Sequence, residues 1–315
     1  MKLLTHEAQW QGPQTVVALG MFDGVHIGHA QLIRVANHLA ALHDLKSVVE
    51  TFSNHPLAVI APERVPPMLT TRSEKIATIG GYRPDALVIR PFDAAFAALS
   101  PEAFVGSLVE TLRPLHIVVG FNYTFGKLGA ATPQMLGDLG KQFGFETHVV
   151  GAVSQGGETV SSTRVRALLQ AGRMEEVTRM LGRPYALSGE VVRGKQLGRR
   201  LGFPTANLCW PKDKAIPPKG VYFARVWMEG APYVAVLNIG THPTAPEGAP
   251  SIEAHLIDFA GDLYGKHLRA ELWHHKRTER RFESLEALKT QVAEDRDATV
   301  RFFESLARTG KAGNK

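Results

Sequence analysis

Several groups of residues in this chain have types and spacings that could do chemistry. The first is Gly20-Met21-Phe22-Asp23-Gly24-Val25-His26-Ile27-Gly28-His29. Gly20, Gly24 and Gly28 let the backbone come close to a ligand, and a helix starting here would supply free N–H groups and a positive dipole end. His26 and His29, three residues apart at that start, can face the same bound anion. The arrangement suits nucleotide phosphates. A tight turn that happens to hold two histidines is the plain alternative. A zinc pair is another, but no third or fourth ligand stands at a familiar spacing.

The second group is Val160-Ser161-Ser162-Thr163-Arg164-Val165-Arg166, where hydroxyls and arginine could surround a triphosphate. Serine and threonine are also good N-caps, so a simple helix start reads equally well. The third group runs from Gly194 to Leu208. Gly194, Gly198 and Gly202 at four-residue spacing would make a mobile loop over a ligand, or merely a basic hairpin. Within Pro204-Thr205-Ala206-Asn207, a hydroxyl and an amide oxygen two residues apart could hold a magnesium ion that carries nucleotide phosphates. Glu253 stands on a mostly apolar strand. Such a carboxylate is either an outward edge residue or a base, and composition alone favours the outward one.

The elements around these residues follow from hydrophobic period. In the first half, short apolar runs at 15–19, 47–52, 86–89, 117–120 and 147–150 alternate with helical patterns at 27–43, 73–80, 101–112 and 133–143. Leu32, Val35/Ala36, Leu39 and Leu42 mark the apolar face of the first helix. This alternation predicts a parallel sheet covered by helices on both faces, with ligands beyond the carboxyl ends of its strands. The histidine turn follows the first of these strands. A short helix, 174–181, precedes Gly182-Arg183-Pro184, which breaks the pattern and sets a domain boundary near 182. The second half reads as strands at 185–192, 221–228, 233–239, 252–259 and 268–273, as in a small barrel or sandwich. A final helix begins at Ser284, with Leu285, Leu288, Val292, Val300, Phe303 and Leu306 as a partial apolar stripe. Residues 310–315 read as a loose tail. The basic run from His274 to Arg281 reads as a solvated surface leading to that helix.

Composition narrows the class. The 315 residues are 44% hydrophobic and 21% charged, ordinary for about two soluble domains. No apolar run approaches the roughly 20 residues of a membrane span, and the start of the chain lacks a signal-peptide core. Cys209 is the only cysteine, so no intrachain disulfide forms and a cytoplasmic home is the simplest. Residues 1–181 hold 15 Lys/Arg against 15 Asp/Glu, and the remainder 21 against 15, so the net +6 lies wholly in the second half. The basic residues are scattered and not interleaved with aromatics, which argues for a phosphorylated small ligand over nucleic acid.

The motifs also carry a family resemblance. The string from Gly20 to His29 resembles the His-x-Gly-His signature of bacterial FAD synthetases. Val119-Gly120-Phe121-Asn122-Tyr123-Thr124-Phe125-Gly126 and Ser161-Ser162-Thr163-Arg164-Val165-Arg166 resemble two more of their motifs. Three positions depart from the pattern: in Asn54-His55-Pro56, Asn54 stands where a proline is usual (Pro-His-Pro), and Ala131-Thr132 where Gly precedes Asp or Asn. The string from Gly194 to Leu208 closely resembles bacterial riboflavin kinases. So do Gly220-Val221-Tyr222, Asn238-Ile239-Gly240, the Glu253–Phe259 strand and Arg280-x-Phe282. Ala235 replaces a glycine often found in the kinases.

The chain is thus similar to bifunctional riboflavin kinase/FMN adenylyltransferases over about residues 14–181 and 184–305. The resemblance implies a Rossmann-like nucleotidyltransferase domain (1–181), then a small antiparallel β-barrel kinase domain with a C-terminal helix (182–309). It implies riboflavin, FMN and ATP as partners, FMN and FAD as products, Mg²⁺ in both sites, no nucleic acid or membrane, and a monomer or weak homo-oligomer. By the same resemblance His26 and His29 stabilise phosphate charge. Gly20, Phe22, Asp23, Gly24, Gly28, Asn122, Ser162, Thr163 and Arg166 bind ATP or flavin. Gly194, Gly198, Gly202, Pro204, Thr205 and Asn207 serve the kinase site, Thr205 and Asn207 on Mg²⁺, with Glu253 as the base. Two rival readings stand beside this one: an active kinase with a first domain that only binds nucleotide, and a nucleic-acid-binding module.

Overall fold

The computed structural model describes residues 1–193, 202–241 and 250–312. Gly194 and Gly198 lie outside the described residues. The chain divides into two compact units, Met1–Ser162 and the residues from Thr163 onward.

The first unit is a six-stranded, all-parallel sheet. Its strands are β1 (Lys2–Leu4), β2 (Thr15–Leu19), β3 (Lys46–Phe52), β4 (Ala86–Arg90), β5 (Pro114–Gly120) and β6 (Glu146–Val150). Their order across the sheet is β1-β4-β3-β2-β5-β6. From β2 the chain steps outward to β3 and β4, then returns to the other side of β2 for β5 and β6. The crevice between β2 and β5 is therefore the topological switch point where such sheets bind ligands.

Side chains alternate between the two faces because the strand period is two. Val17, Leu19, Val48, Val88, Ile117 and Val119 point to one face. There they pack on α5 (Pro101–Leu112) through Phe104, Val105 and Leu108, and on α6 (Pro133–Phe143) through Leu136 and Leu139. Val16, Ala18, Val49, Leu87 and Val118 point to the other, against α1 (Ile27–Leu42) and α3 (Arg72–Gly80). The buried face of α1 is Leu32, Ile33, Ala36 and Ala40. Leu42, expected on this face, is instead 65% exposed.

The second unit holds α7 (Ser162–Gln170, beginning one residue before it) and α8 (Met174–Leu181), then a closed, antiparallel six-stranded barrel. The barrel strands are β9 (Tyr185–Val192), β10 (Ala206–Cys209), β11 (Gly220–Met228), β12 (Ala231–Thr241), β13 (Pro250–Leu256) and β14 (His267–Arg277), in the closed order β10-β13-β12-β11-β14-β9. Among the described residues each of these strands pairs on both sides, so closure removes the free edges. Where β9 crosses β10, a Cβ on Gly189 would lie 1.9 Å from the Cys209 carbonyl oxygen, so only glycine fits.

The final helix, α9 (Leu285–Ala312), continues through Gly310, past the point where a tail was expected. It starts with the Ser284 hydroxyl accepting the Ala287 N–H, and packs chiefly through its later turns, with Thr299 and Phe303 buried and Leu285 exposed. The basic run is exposed at Lys276, Arg280 and Arg281, as expected, but not throughout. His274 to Arg277 belong to β14, His275 stacks on Tyr222 at 4.7 Å, and Arg277 donates to Asp295 of α9 at 2.7 Å. Asp295 is fully buried, so this pair fastens the helix to the barrel.

Candidate active sites

The histidine turn lies just beyond β2, at the switch point. Its backbone is unusual: Phe22 (φ 49°), Gly24 (φ 77°) and Val25 (φ 42°) all adopt positive φ. For a β-branched residue that conformation costs on the order of 1–3 kcal/mol, and surrounding bonds must hold it. Asp23 supplies them. Its buried carboxylate accepts the N–H groups of Leu69 (3.0 Å) and Thr70 (3.1 Å) and the Thr70 hydroxyl (3.2 Å). The Thr70 hydroxyl in turn accepts the Gly24 N–H, and Ser162 donates to the Asp23 carbonyl at 2.9 Å.

The Asp23 carboxylate shapes the turn through these bonds. Phe22 is fully buried in the α1-side core, with its ring beneath Gly20 and 5.1 Å from the His29 ring.

His26 is the N-cap of α1, and its Nδ1 accepts the His29 N–H at 3.2 Å. Its ring stacks on that of His29, with centroids 3.6 Å apart and planes 13° apart. A Cβ on Gly28 would come within 3.2 Å of the His26 ring, so Gly28 is what lets the ring fold over the first helical turn. The sequence pattern therefore brings two imidazoles together at a helix N-terminus, the geometry for stabilising negative charge. Asn122 is exposed just beyond β5, across the same crevice. Thr163 and Arg166 continue along α7 from Ser162, with Thr163 exposed and Arg166 half-buried.

Sequence reasoning missed the buried groups behind this turn. Lys75 of α3 is 1% exposed and donates to the carbonyls of Met21 (3.0 Å) and Phe52 (2.9 Å). Burial pushes its pKa down to about 8, partly opposed by the Asp23 carboxylate. Glu50 of β3 sits beside Leu19, and burial together with Glu7 pushes its pKa up to about 8, while Arg90 pulls it down. Arg90 also pairs with the buried Glu7. None of these residues lies in a recognisable string, and each finds its partners across more than 20 residues of chain.

In the barrel, the register places Asn207 of β10 directly opposite Glu253 of β13, and Glu253 opposite Asn238 of β12. Directly opposed residues share a face, so three polar side chains form a row across three strands. All three are half-buried. The Thr205 hydroxyl donates to Glu253 Oε2 at 3.3 Å. The segment carrying Thr205 is fixed to β13, because His255 Nδ1 bonds the Pro204 carbonyl at 2.9 Å and the His255 ring meets Phe203 edge-on. Gly202 has φ 86°, which suits glycine at this turn into β10. Thus Thr205, Asn207 and Glu253 come together, and Asn238 joins them through register. Two neutral oxygens beside a carboxylate are hard donors of the kind Mg²⁺ takes. The first site differs: its imidazoles and N–H groups suit an anion, and the Asp23 carboxylate is already engaged.

Comparison with known proteins is consistent along the whole chain. Residues 8–164 match the FAD synthetase family model, and residues 181–303 the riboflavin kinase model. The bifunctional riboflavin kinase/FMN adenylyltransferase of Bacillus subtilis is 35% identical over 96% of this chain and 96% of its own. That of Escherichia coli K12 is 37% identical over 95% and 96%. The chain belongs to the bifunctional riboflavin kinase/FMN adenylyltransferase family. A solved structure from Streptococcus pneumoniae, called a macrolide-efflux protein, superposes with a TM-score of 0.85 at 30% identity, covering 94% of this chain and 97% of that one. That name is the other protein's. Among the described residues here, no helix is long and apolar enough to cross a membrane.

The departures from the FAD synthetase pattern have structural partners. Asn54 accepts the Phe92 N–H at 2.7 Å and donates to the Phe92 carbonyl at 2.9 Å, joining the loops after β3 and β4. Ala131 is fully buried and bridges to Phe125, while Thr132 is the N-cap of α6.

Proposed function

We propose that the chain makes flavin cofactors in two steps, each at the site described above. Residues 182–309 phosphorylate riboflavin and residues 1–181 adenylylate the product; Gly182, which ends α8 with φ 71°, supports that boundary. The observation that carries the reading is the stacked His26–His29 pair on the first turn of α1 at the sheet's switch point.

In the kinase step, the γ-phosphoryl group of ATP passes to the 5′-hydroxyl of riboflavin, giving FMN and ADP. Glu253 accepts the hydroxyl proton, and Thr205 orients the carboxylate through its 3.3 Å hydrogen bond. Thr205 and Asn207 would hold Mg²⁺, which when bound neutralises charge on the nucleotide phosphates. The half-buried row of Asn207, Glu253 and Asn238 limits water around the reacting groups. Positioning carries most of the rate in such a transfer.

In the second step, an FMN phosphate oxygen attacks the α-phosphorus of ATP, forming FAD and releasing pyrophosphate. No protein nucleophile is required. His26 and His29 stabilise charge that builds on the phosphates, helped by the N–H groups that open α1. Ser162, Thr163 and Arg166 would hold the triphosphate, and Asn122 would place nucleotide or flavin. Asp23 and Phe22 act by holding the turn. In this site Mg²⁺ would arrive with the nucleotide, since the residues of the turn offer it no oxygen set. A cytoplasmic chain, monomeric or weakly self-associating, belongs to the same proposal; the exposed lone thiol of Cys209 supports a reducing setting.

The test separates the sites. Glu253→Gln should stop FMN formation from riboflavin and leave FAD formation from supplied FMN intact. His29→Ala should do the reverse. Normal kinase rates in Glu253→Gln would remove Glu253 as the base, and unimpaired FAD formation in His29→Ala would remove the histidine pair from the second step.

A further inference from the structure

The amino ends of β5 and β6 carry a second group of imidazoles, at the opposite end of the sheet from the His26–His29 turn. His116 lies two residues into β5, and Glu146 and His148 open β6. The register pairs His116 with Glu146 and Val118 with His148, so all three side chains project from the same face. This is the α1 face, to which Val118 also belongs. His43, just past the end of α1, lays its ring 4.6 Å from that of His116.

The donor atoms converge. His116 Nδ1 is 3.0 Å from His148 Nε2 and 3.6 Å from Glu146 Oε2, and His148 Nε2 is 3.9 Å from Glu146 Oε1. Three ligands on a tetrahedral ion with bonds of about 2.0–2.1 Å stand roughly 3.3 Å from one another. The observed separations bracket that value, so small side-chain adjustments would let one ion touch all three.

We propose that His116, Glu146 and His148 form a binding site for a zinc-type divalent metal ion, with a fourth position open to water or to His43. Two nitrogens and one carboxylate oxygen are the donor set of Zn²⁺, Co²⁺ or Ni²⁺, whereas Mg²⁺ prefers oxygen alone. His116 is nearly buried and Glu146 is 67% exposed, so the ion would enter from solvent past the carboxylate. Bound there, it would clamp β6, the last strand of the sheet, to β5. The site is separate from nucleotide chemistry, because the switch-point crevice lies at the carboxyl ends of the strands.

The experiment uses the full, untagged chain after chelator treatment. Co²⁺ is titrated and its d–d absorption followed, then Zn²⁺ is added in competition, all with excess Mg²⁺ present. One equivalent of Co²⁺ should give tetrahedral-type absorption that Zn²⁺ displaces and Mg²⁺ does not. His148→Ala and Glu146→Gln, both at accessible positions, should each weaken binding at least roughly tenfold. Zn²⁺ should raise the melting temperature of the parent chain and not that of His148→Ala. Absence of a one-equivalent site, or a site unchanged in both variants, would overturn the proposal. Circular dichroism of the metal-free variants shows that each is folded, and His116→Gln serves as the second variant if His148→Ala is not.

Discussion

Gly28→Ala tests the histidine geometry without removing either imidazole. A Cβ at this position would stand 3.2 Å from both Cε1 and Nδ1 of His26, closer than ordinary carbon contacts, so the ring must retreat by a few tenths of an ångström. That movement loosens the 3.2 Å cap bond to the His29 N–H and, through the 3.6 Å stack, shifts His29 as well. Two stability terms then oppose each other. Weakening the cap costs up to about 1 kcal/mol, and alanine in a helix is favoured over glycine by up to about 1 kcal/mol. The melting temperature should therefore stay within about 3 °C of the parent. Catalysis has no such offset. A displacement of about 1 Å can cost a hundredfold, so a few tenths should slow FAD formation from FMN by roughly tenfold. Kinase turnover on riboflavin, measured on the same sample, should be unchanged. FAD formation at the parental rate would refute the claim that the stacked pair must be held as observed. Equal loss in both activities would instead point to general destabilisation.

Further outcomes follow from the buried groups. Asn54→Pro restores the usual family residue, but proline makes neither side-chain hydrogen bond to Phe92, so it should lower stability by about 1–2 kcal/mol in urea melts and leave FAD formation no faster. Asp295→Ala removes the carboxylate that the half-buried Arg277 donates to and should cost about 1.5–3 kcal/mol, read as a fall in the unfolding midpoint of the barrel unit. Glu50 holds its proton more tightly folded than unfolded, so its contribution to stability is greatest below about pH 4.5 and is lost as pH rises toward about 8, at roughly 1.4 kcal/mol per unit. Melting curves of Glu50→Gln between pH 6 and 8 should accordingly fall less steeply with pH than those of the parent, and an unchanged slope would contradict the raised pKa.

What could be seen in the sequence divides along physical lines. Strands β2 to β6 were legible because a parallel sheet covered on both faces demands short continuous apolar runs, such as Val16-Val17-Ala18-Leu19. β1 was not, since its three residues gain their identity only by pairing with β4. β10 was hidden for a different reason: Ala206–Cys209 carries ligand-type residues, and its strand pattern shows only once it closes the barrel between β9 and β13. His26 and His29 fell on one turn, where their spacing put them, whereas Thr205 reaches Glu253 across 48 residues through the pairing of β10 with β13. Roles were harder to read than positions. The place of Asp23 in the string gives no hint that its carboxylate bonds Leu69 and Thr70, 46 and 47 residues away. Lys75 and Glu50 gave no signal, because a single sequence does not show which charged side chain will be buried.

The central claim, that one chain carries both steps, is tested most directly by chromatography of the flavins over time. Purified protein is incubated with riboflavin, ATP and Mg²⁺. FMN should rise first and FAD follow, with pyrophosphate released in step with FAD. FMN alone, even when FMN and fresh ATP are supplied, would contradict the assignment of the His26–His29 site, and no new flavin at all from folded protein would contradict both.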